Sequence, residues 1–376
     1  MPNKVIILTK GLYLHIPFCK SKCRYCSFNS FSGISFLQKE YFDSMISGIK
    51  KLNNDKLDSV YIGGGTPSFV NGEHIADLLK VVYDTFCVSG DAEITIEINP
   101  KTIDEEKLTL YRKAGINRIS MGMQSMNDEE LKLMGRAHTV SEGIKSYELI
   151  RKMGFDNVSL DLMYALPNQT EMTLKDTLDQ MIALSPEHIS CYGLSIDEGT
   201  PLWDDIKKGI ITKKDDEEYF RMYEMIREAL AKNGYSHYEI SNFSKLGFQA
   251  RHNTSYWRGN EYYAMGAGAS GFIGDERFVY TENVEEFIRN PHIYTVEEIL
   301  TQEDKMSEFV FLGLRMLIDG VDKKEFKKRF DKDIYQIFEK EISKHIKTGM
   351  LEDTGDSIRL TPKAYYVSNN IMADFL

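Results

Sequence analysis

The sequence predicts an α/β protein in which a parallel sheet is wound with helices and followed by a smaller helical module. Two observations carry this. From Leu12 to Ile196, β-rich apolar runs alternate with stretches whose apolar residues recur at helical spacing. After Ile196 the alternation stops, and from about Thr301 the order becomes helix, helix, helix, hairpin, helix.

Leu12–Ile16 reads as a short strand, and Phe36–Leu52 follows with Phe42, Met45, Ile46 and Ile49 on one helical face. Ser59–Ile62 runs into Gly63-Gly64-Gly65, and a helix is predicted over Glu73–Phe86. Glu93–Ile98 and Arg118–Gln124 are the next strands, with a helix over Ile103–Ala114 between them. Helices over Asp128–Met134 and Ser141–Met153 precede a strand at Val158–Leu166. A helix over Glu171–Leu184 leads to the last strand of the series, His188–Ile196. Such spacing fits an open doubly wound sheet and a full or partial barrel equally well. Asp215–Lys232 is a charged amphipathic helix, with strand-like pieces at Tyr238–Phe243 and Tyr262–Met265. A hairpin through Met350–Leu360, turning at Asp353-Thr354-Gly355-Asp356, gives the C-terminal module a winged-helix-like order. Three regions are expected: residues 1–200, a connecting region 201–300, and a cap 301–376.

Composition is that of a globular protein, with 42% hydrophobic and 27% charged residues. No apolar stretch approaches the ~20 residues that span a bilayer, so no transmembrane segment is expected. Met1–Lys10 reads as the lead-in to a strand and not as a signal peptide, which makes the expected location cytoplasmic. The net charge of −11 repels nucleic-acid backbones, and no nucleic-acid partner is expected. Five cysteines without a secretion signal argue against a disulfide framework.

Three of those cysteines stand together in Tyr13-Leu-His15-Ile-Pro17-Phe18-Cys19-Lys-Ser-Lys-Cys23-Arg-Tyr25-Cys26. Thiolates are soft ligands for zinc or for iron–sulfur clusters. C-x3-C-x2-C supplies three sulfurs, one short of a closed tetrahedral zinc site, and His15 is the nearby candidate for a fourth ligand. A cubane held by three cysteines instead leaves one iron open for chemistry.

The cysteine spacing, with an aromatic residue before the last ligand, resembles the radical S-adenosylmethionine (SAM) signature. The flanking Tyr13-Leu-His-Ile-Pro-Phe and Gly63-Gly-Gly-Thr66-Pro67-Ser68 are similar to the oxygen-independent coproporphyrinogen III oxidase-like family, and the likeness runs from about Leu12 onward. The resemblance implies a partial (β/α)6 barrel with a winged-helix-like C-terminal region. It implies a [4Fe–4S] cluster on Cys19, Cys23 and Cys26 whose free iron chelates SAM. One electron then yields methionine and a 5′-deoxyadenosyl radical. By resemblance, Gly64, Gly65 and Thr66 meet the methionyl end, where glycines let backbone polar groups approach closely. Glu97, Gln124 and Asp161 are assigned to the amino group and ribose, Arg136 to the carboxylate, and Tyr13 and Tyr25 pack by the cluster and adenine.

The oxidases of this family carry a further cysteine two residues after the third ligand, where this sequence has Phe28. Downstream, His252-Asn253-Thr-Ser-Tyr256-Trp257 looks like the HNxxYW segment of the HemW-type heme chaperones. That branch implies heme as a further bound group, heme-accepting proteins and a cytosolic electron donor as partners, and His252 as a heme contact. A hydrogen-bonded core histidine is the other reading of His252. The rival functions are a coproporphyrinogen III oxidase or another tetrapyrrole-modifying radical SAM enzyme, and a zinc-stabilised binding module. Gly266-Ala-Gly268-Ala-Ser-Gly271 matches G-x-G-x-x-G, but strand-like sequence follows it where a dinucleotide site needs a helix.

Overall fold

A computed structural model describes residues 10–376; residues 1–9 of the segment Met1–Lys10, read above as a lead-in, lie outside the described residues. The first half is a regular winding. β1 (Lys10–Ile16), α1 (Gln38–Ile49), β2 (Lys56–Gly64), α2 (Gly72–Thr85), β3 (Cys87–Ile98) and α3 (Glu105–Lys113) come first. β4 (Arg118–Gln124), α4 (Asp128–Leu133), α5 (Val140–Lys152), β5 (Val158–Tyr164), α6 (Glu171–Ala183) and β6 (His188–Gly193) complete it. Strands β1 to β6 are neighbours in that order, and every pair is parallel. β1 and β6 do not pair with each other, so the structure resolves the alternatives in favour of an open barrel.

The helices form where the sequence supplies both a start signal and an apolar stripe. Asn71, Asp104, Asn127 and Thr139 each accept a backbone N–H at the first turn of the helix that follows. α2 buries Ile75, Leu78, Leu79 and Val82, one face at helical spacing. In β4, Ile119, Met121 and Met123 pack into the apolar core under the helices, while Arg118, Ser120, Gly122 and Gln124 line the barrel lumen. The alternation of a strand thus separates a dry outer layer from a polar interior.

Beyond β6 come α7 (Pro201–Lys207), α8 (Asp216–Lys232), β7 (Ser236–Glu239), β8 (Asn242–Ser244), α9 (Arg251–Trp257) and β9 (Tyr262–Met265). β10 (Ser270–Ile273), β11 (Glu276–Tyr280), α10 (Val284–Arg289) and β12 (Tyr294–Ile299) follow. The sequence signalled six strands in the winding and strand-like pieces at Tyr238–Phe243 and Tyr262–Met265; the sheet among the described residues has twelve strands, because this segment extends both edges. β9 adds parallel to β1 and carries β10, β11 and β12, while β8 adds antiparallel to β6 and carries β7, antiparallel to itself, at the far edge. β10, β11 and β12 were not delimited, because strands of four to six residues in mixed polar sequence leave too little periodicity to read. The G-x-G-x-x-G segment turns from β9 into β10, with Gly266 at φ +126° and Gly268 at φ +77°, and no helix follows it.

The C-terminal region is α11 (Gln302–Gly313), β13 (Val321–Asp322), α12 (Lys323–Phe330), α13 (Ile334–Lys347), the hairpin β14 (Leu351–Asp353) and β15 (Ser357–Leu360), then α14 (Ser368–Met372). β13 closes the hairpin into a three-stranded sheet in the order β13-β15-β14, the wing of a winged helix. This region has its own apolar core, built on Phe309, Phe326, Ile342 and Phe375.

Candidate functional site

The loop after β1 carries the cysteines, and the turn after β2 shapes it. Gly65 N–H donates to Ile16 O at 2.8 Å and Thr66 N–H to Phe18 O at 2.9 Å, so the two segments run backbone to backbone. A Cβ on Gly65 would stand 2.9 Å from Phe18 O and 3.0 Å from Cys19 Sγ. Gly64 has φ +113°, and a Cβ there would meet the His15 ring at 2.6 Å. The glycines were expected to admit a ligand; here they first admit the cysteine loop itself. The far side of that loop is stapled by Arg24, whose N–H donates to Met134 O, whose carbonyl accepts from Leu202 N–H, and whose side chain pairs with Asp205.

All of the candidate site residues named from sequence, except Tyr13, His15 and His252, line one cavity of about 470 Å3. Cys19, Cys23 and Cys26 stand with Tyr25 along it, Gly64, Gly65 and Thr66 close one side, Glu97, Gln124 and Asp161 enter from β3, β4 and β5, and Arg136 enters from the segment between α4 and α5. Cys19 Sγ lies 3.5 Å from Thr66 Oγ1, Cys26 Sγ 4.0 Å from Ser30 Oγ, and Arg136 donates to Cys23 Sγ at 3.4 Å. Such donors are what stabilises electron-rich sulfur. Burial pushes the Cys19 thiol up, so its proton leaves readily only when a cation takes its place.

A [4Fe–4S] cluster fits this donor set, whereas a single zinc ion does not. Among the described residues, no three Cys, His, Asp or Glu side chains converge on one ion. Cysteines on a cubane bind different irons and need only share a rim. His15, the candidate fourth zinc ligand, has both ring nitrogens engaged: Nδ1 with Tyr13 OH at 3.0 Å and Nε2 with Asn29 O at 2.8 Å.

The lumen beneath the cysteines is polar and tightly charged. Glu97 accepts from Tyr61 OH at 2.7 Å and from Gly64 N–H at 3.2 Å; burial raises its pKa to about 7. Asp161 accepts from Ser120 Oγ at 3.2 Å and is raised to about 6, again by burial. Arg136 donates to Asn99 Oδ1 and Gly122 O, both at 2.6 Å, while its Nε is buried without a partner. Gln124 sits at φ +68°, a strained backbone for a non-glycine residue at the mouth of a barrel. Raised carboxylates, an orphaned guanidinium nitrogen and local strain make the lumen a candidate site for a polar ligand that carries both donors and acceptors.

Sequence reading missed Tyr61, Asn99, Arg118, Ser120, Gly122, Ser190 and Asn253, which also line the cavity. For β4 the signal was present: Arg118-Ile-Ser120-Met-Gly122-Met-Gln124 places a polar or small residue at every second position. Arg118 is buried, with Glu93 4.0 Å away and its Nε unpartnered.

Tyr13 lies outside the cavity, stacked on Tyr61 with ring centroids 6.2 Å apart. His252 also lies outside, on α9. Its Nδ1 bonds Ser59 Oγ at 2.8 Å and its Nε2 bonds Tyr256 OH at 2.6 Å. Burial, with Arg118 adding to it, lowers its pKa to about 3, so the ring is neutral. Glu93 caps the same helix, accepting from Arg251 and His252 N–H at 3.0 and 3.1 Å. With both nitrogens taken, His252 is a core histidine that fastens α9 to β2, and the HNxxYW segment is a brace in the barrel wall.

Comparison with known proteins agrees with this geometry. Residues 13–181 match the radical SAM superfamily, and residues 300–367 match the HemN C-terminal domain. Over 97% of this chain, the heme chaperone HemW of Lactococcus lactis is 33% identical, with 96% of that protein covered. The heme chaperone HemW of Bacillus subtilis is 33% identical over 98% of this chain and 99% of its own. The chain belongs to the HemW family of radical SAM proteins. Among solved structures, the coproporphyrinogen III oxidase HemN of Escherichia coli superimposes with a TM-score of 0.84 at 22% identity, covering 98% of this chain and 90% of that one. That likeness shows the fold. Membership of the HemW family implies an iron–sulfur cluster and SAM, and the cavity supplies thiols and polar side chains that suit both.

No helix among the described residues is long and apolar enough to cross a membrane.

Proposed function

We propose that this protein is a heme chaperone that holds a [4Fe–4S] cluster on Cys19, Cys23 and Cys26, binds SAM in the barrel lumen, and delivers heme to acceptor proteins. The observation that carries the reading is similarity to proteins named heme chaperones along nearly the whole chain, barrel and C-terminal region alike. The lumen supports the SAM half. Arg136, with a free Nε, suits a carboxylate; Glu97 and Asp161 suit an ammonium and ribose hydroxyls; Thr66, Gly64, Gly65, Gln124 and Tyr25 complete the walls. When bound, the reduced cluster supplies one electron for SAM cleavage, and the protein's part is to bind, orient and shield. The electron donor is a partner of this reading, not of the fold. A cavity of about 470 Å3 is the size that takes one drug-sized ligand, which leaves the heme to bind elsewhere. The rival, coproporphyrinogen oxidation, is disfavoured by Phe28 at the position of the oxidases' further cysteine.

Anaerobic reconstitution tests the first part. The wild-type protein is expected to bind about four irons per chain. Cys23→Ala is expected to bind none, whereas exposed Cys87 is replaceable by Ala without loss. A Cys23→Ala protein with full iron content would refute the ligand set. Heme titration followed by transfer to an apo-hemoprotein tests the second part, and turnover of coproporphyrinogen by the same preparation would replace the chaperone reading with the oxidase one.

A further inference from the structure

We propose that the tetrapyrrole cargo docks at the outer rim of the cavity, its ring against Phe28 and its carboxylates on Lys20 and Lys22. The inference rests on the heme-chaperone reading and adds the site to it.

The interior offers no place. His252 has no free nitrogen, and the polar lumen matches one SAM-sized ligand. The rim offers what a flat apolar ring with acidic substituents requires. Phe28, two residues beyond Cys26, lines the mouth of the cavity and is 67% exposed. Phe31 and Phe36 follow in the same loop, 38% and 76% exposed. Three exposed phenylalanines within ten residues of a cluster ligand expose apolar surface that folding alone leaves unused. Lys20 and Lys22 are exposed between the first two cysteines, and neither forms an ion pair among the described residues. Lys22 Nζ donates to Phe28 O at 3.0 Å, which holds one cation beside the aromatic ring. In a chain of net charge −11 these cations favour an anionic ligand locally.

Aromatic stacking and lysine–carboxylate pairing hold a macrocycle without an axial bond to its iron. An attachment of that kind is exposed and reversible, as a carrier that must release its cargo requires. It also predicts that the iron is dispensable for docking.

Titration of reconstituted protein with hemin and, separately, with iron-free protoporphyrin tests this, with absorbance and tryptophan quenching as readouts and iron content as the control for cluster integrity. Both ligands are expected to bind. Phe28→Ser is expected to weaken each about tenfold, and Phe28→Trp to retain them. The Lys20→Glu/Lys22→Glu pair is expected to weaken binding about tenfold and to abolish its salt dependence. If Phe28→Ser lowers iron content, Phe28→Leu and the lysine pair decide. Unchanged affinity in variants with full iron content overturns the rim site, as does binding of hemin without protoporphyrin. Failure of the wild-type protein to bind either ligand overturns the chaperone reading instead.

Discussion

At the scale of single residues, the site is governed by what burial does to charge. Glu97, raised to about 7, binds its proton more tightly folded than unfolded, where a glutamate titrates near 4.5. The folded state therefore gains from protonation below the unfolded value and loses that gain as pH rises toward 7. Asp161, raised to about 6, acts in the same direction. Buried His138, His237 and His252, lowered to about 4, 4 and 3, act in the opposite direction below pH 6.5, so the Glu97 share is read as a difference. From pH 5 to 7.5 the ligand-free wild-type protein is expected to lose urea stability relative to Glu97→Gln, which is also expected to weaken SAM binding. A stability difference between the two proteins that does not change with pH would contradict the assignment. His252 gives a second test at this scale. Replacing it with Phe breaks the bonds to Ser59 and Tyr256 and leaves both hydroxyls buried, which costs about 2–4 kcal/mol. A denaturant midpoint equal to wild type, or an altered heme spectrum at equal stability, would return His252 to the ligand set.

At the scale of elements, the turn after β2 matters more than any side chain within it. Gly65 lets that turn lie against the cysteine loop at hydrogen-bonding distance, and a methyl group would meet backbone oxygen and Cys19 sulfur at about 3 Å. Backbone cannot withdraw as a flexible side chain can. Gly65→Ala is expected to retain native circular dichroism while losing most of its iron and its SAM binding; full iron incorporation would show that the loop can shift. The same packing explains what was legible. Strand ends, glycines and the three cysteines lie in continuous stretches of sequence, so their chemistry and order are readable together. The alternation around Arg118 was there to be read, but Asn99 was not found because nothing local separates a lumen-facing asparagine from one in an ordinary strand-end turn. Glu93 illustrates the point: its role as the cap of α9 joins residues 158 positions apart.

At the scale of the whole molecule, the C-terminal winged region is tied to the outer wall of the barrel. Arg315 lies 4.2 Å from the Trp257 ring centroid and pairs with fully buried Glu239 at 3.4 Å, while Leu317 N–H donates to Tyr238 O. Arg329 reaches Asn260 Oδ1 and the carbonyls of Arg258 and Gly259. These contacts fall on β7 and on α9 with the residues that follow it, so the cap braces the segment that braces β2. Arg315→Ala is expected to cost about 3 kcal/mol, since Glu239 would remain buried without its partner. Thermal unfolding reports the loss, and an unshifted midpoint would show that the cap docks independently of this pair.

The sequence by itself determined the winding of β1 to β6, the helical cap, and the cysteine loop with its neighbouring glycines. Each is written in local periodicity or in contiguous spacing. Only the tertiary structure decided that the sheet runs to twelve strands, that the barrel stays open, and that His252 turns inward to Ser59 and Tyr256 rather than toward a ligand. Those outcomes depend on which distant groups meet in the dry interior. A histidine's two nitrogens are assigned by the partners that folding brings within 3 Å, and sequence neighbours carry no record of them.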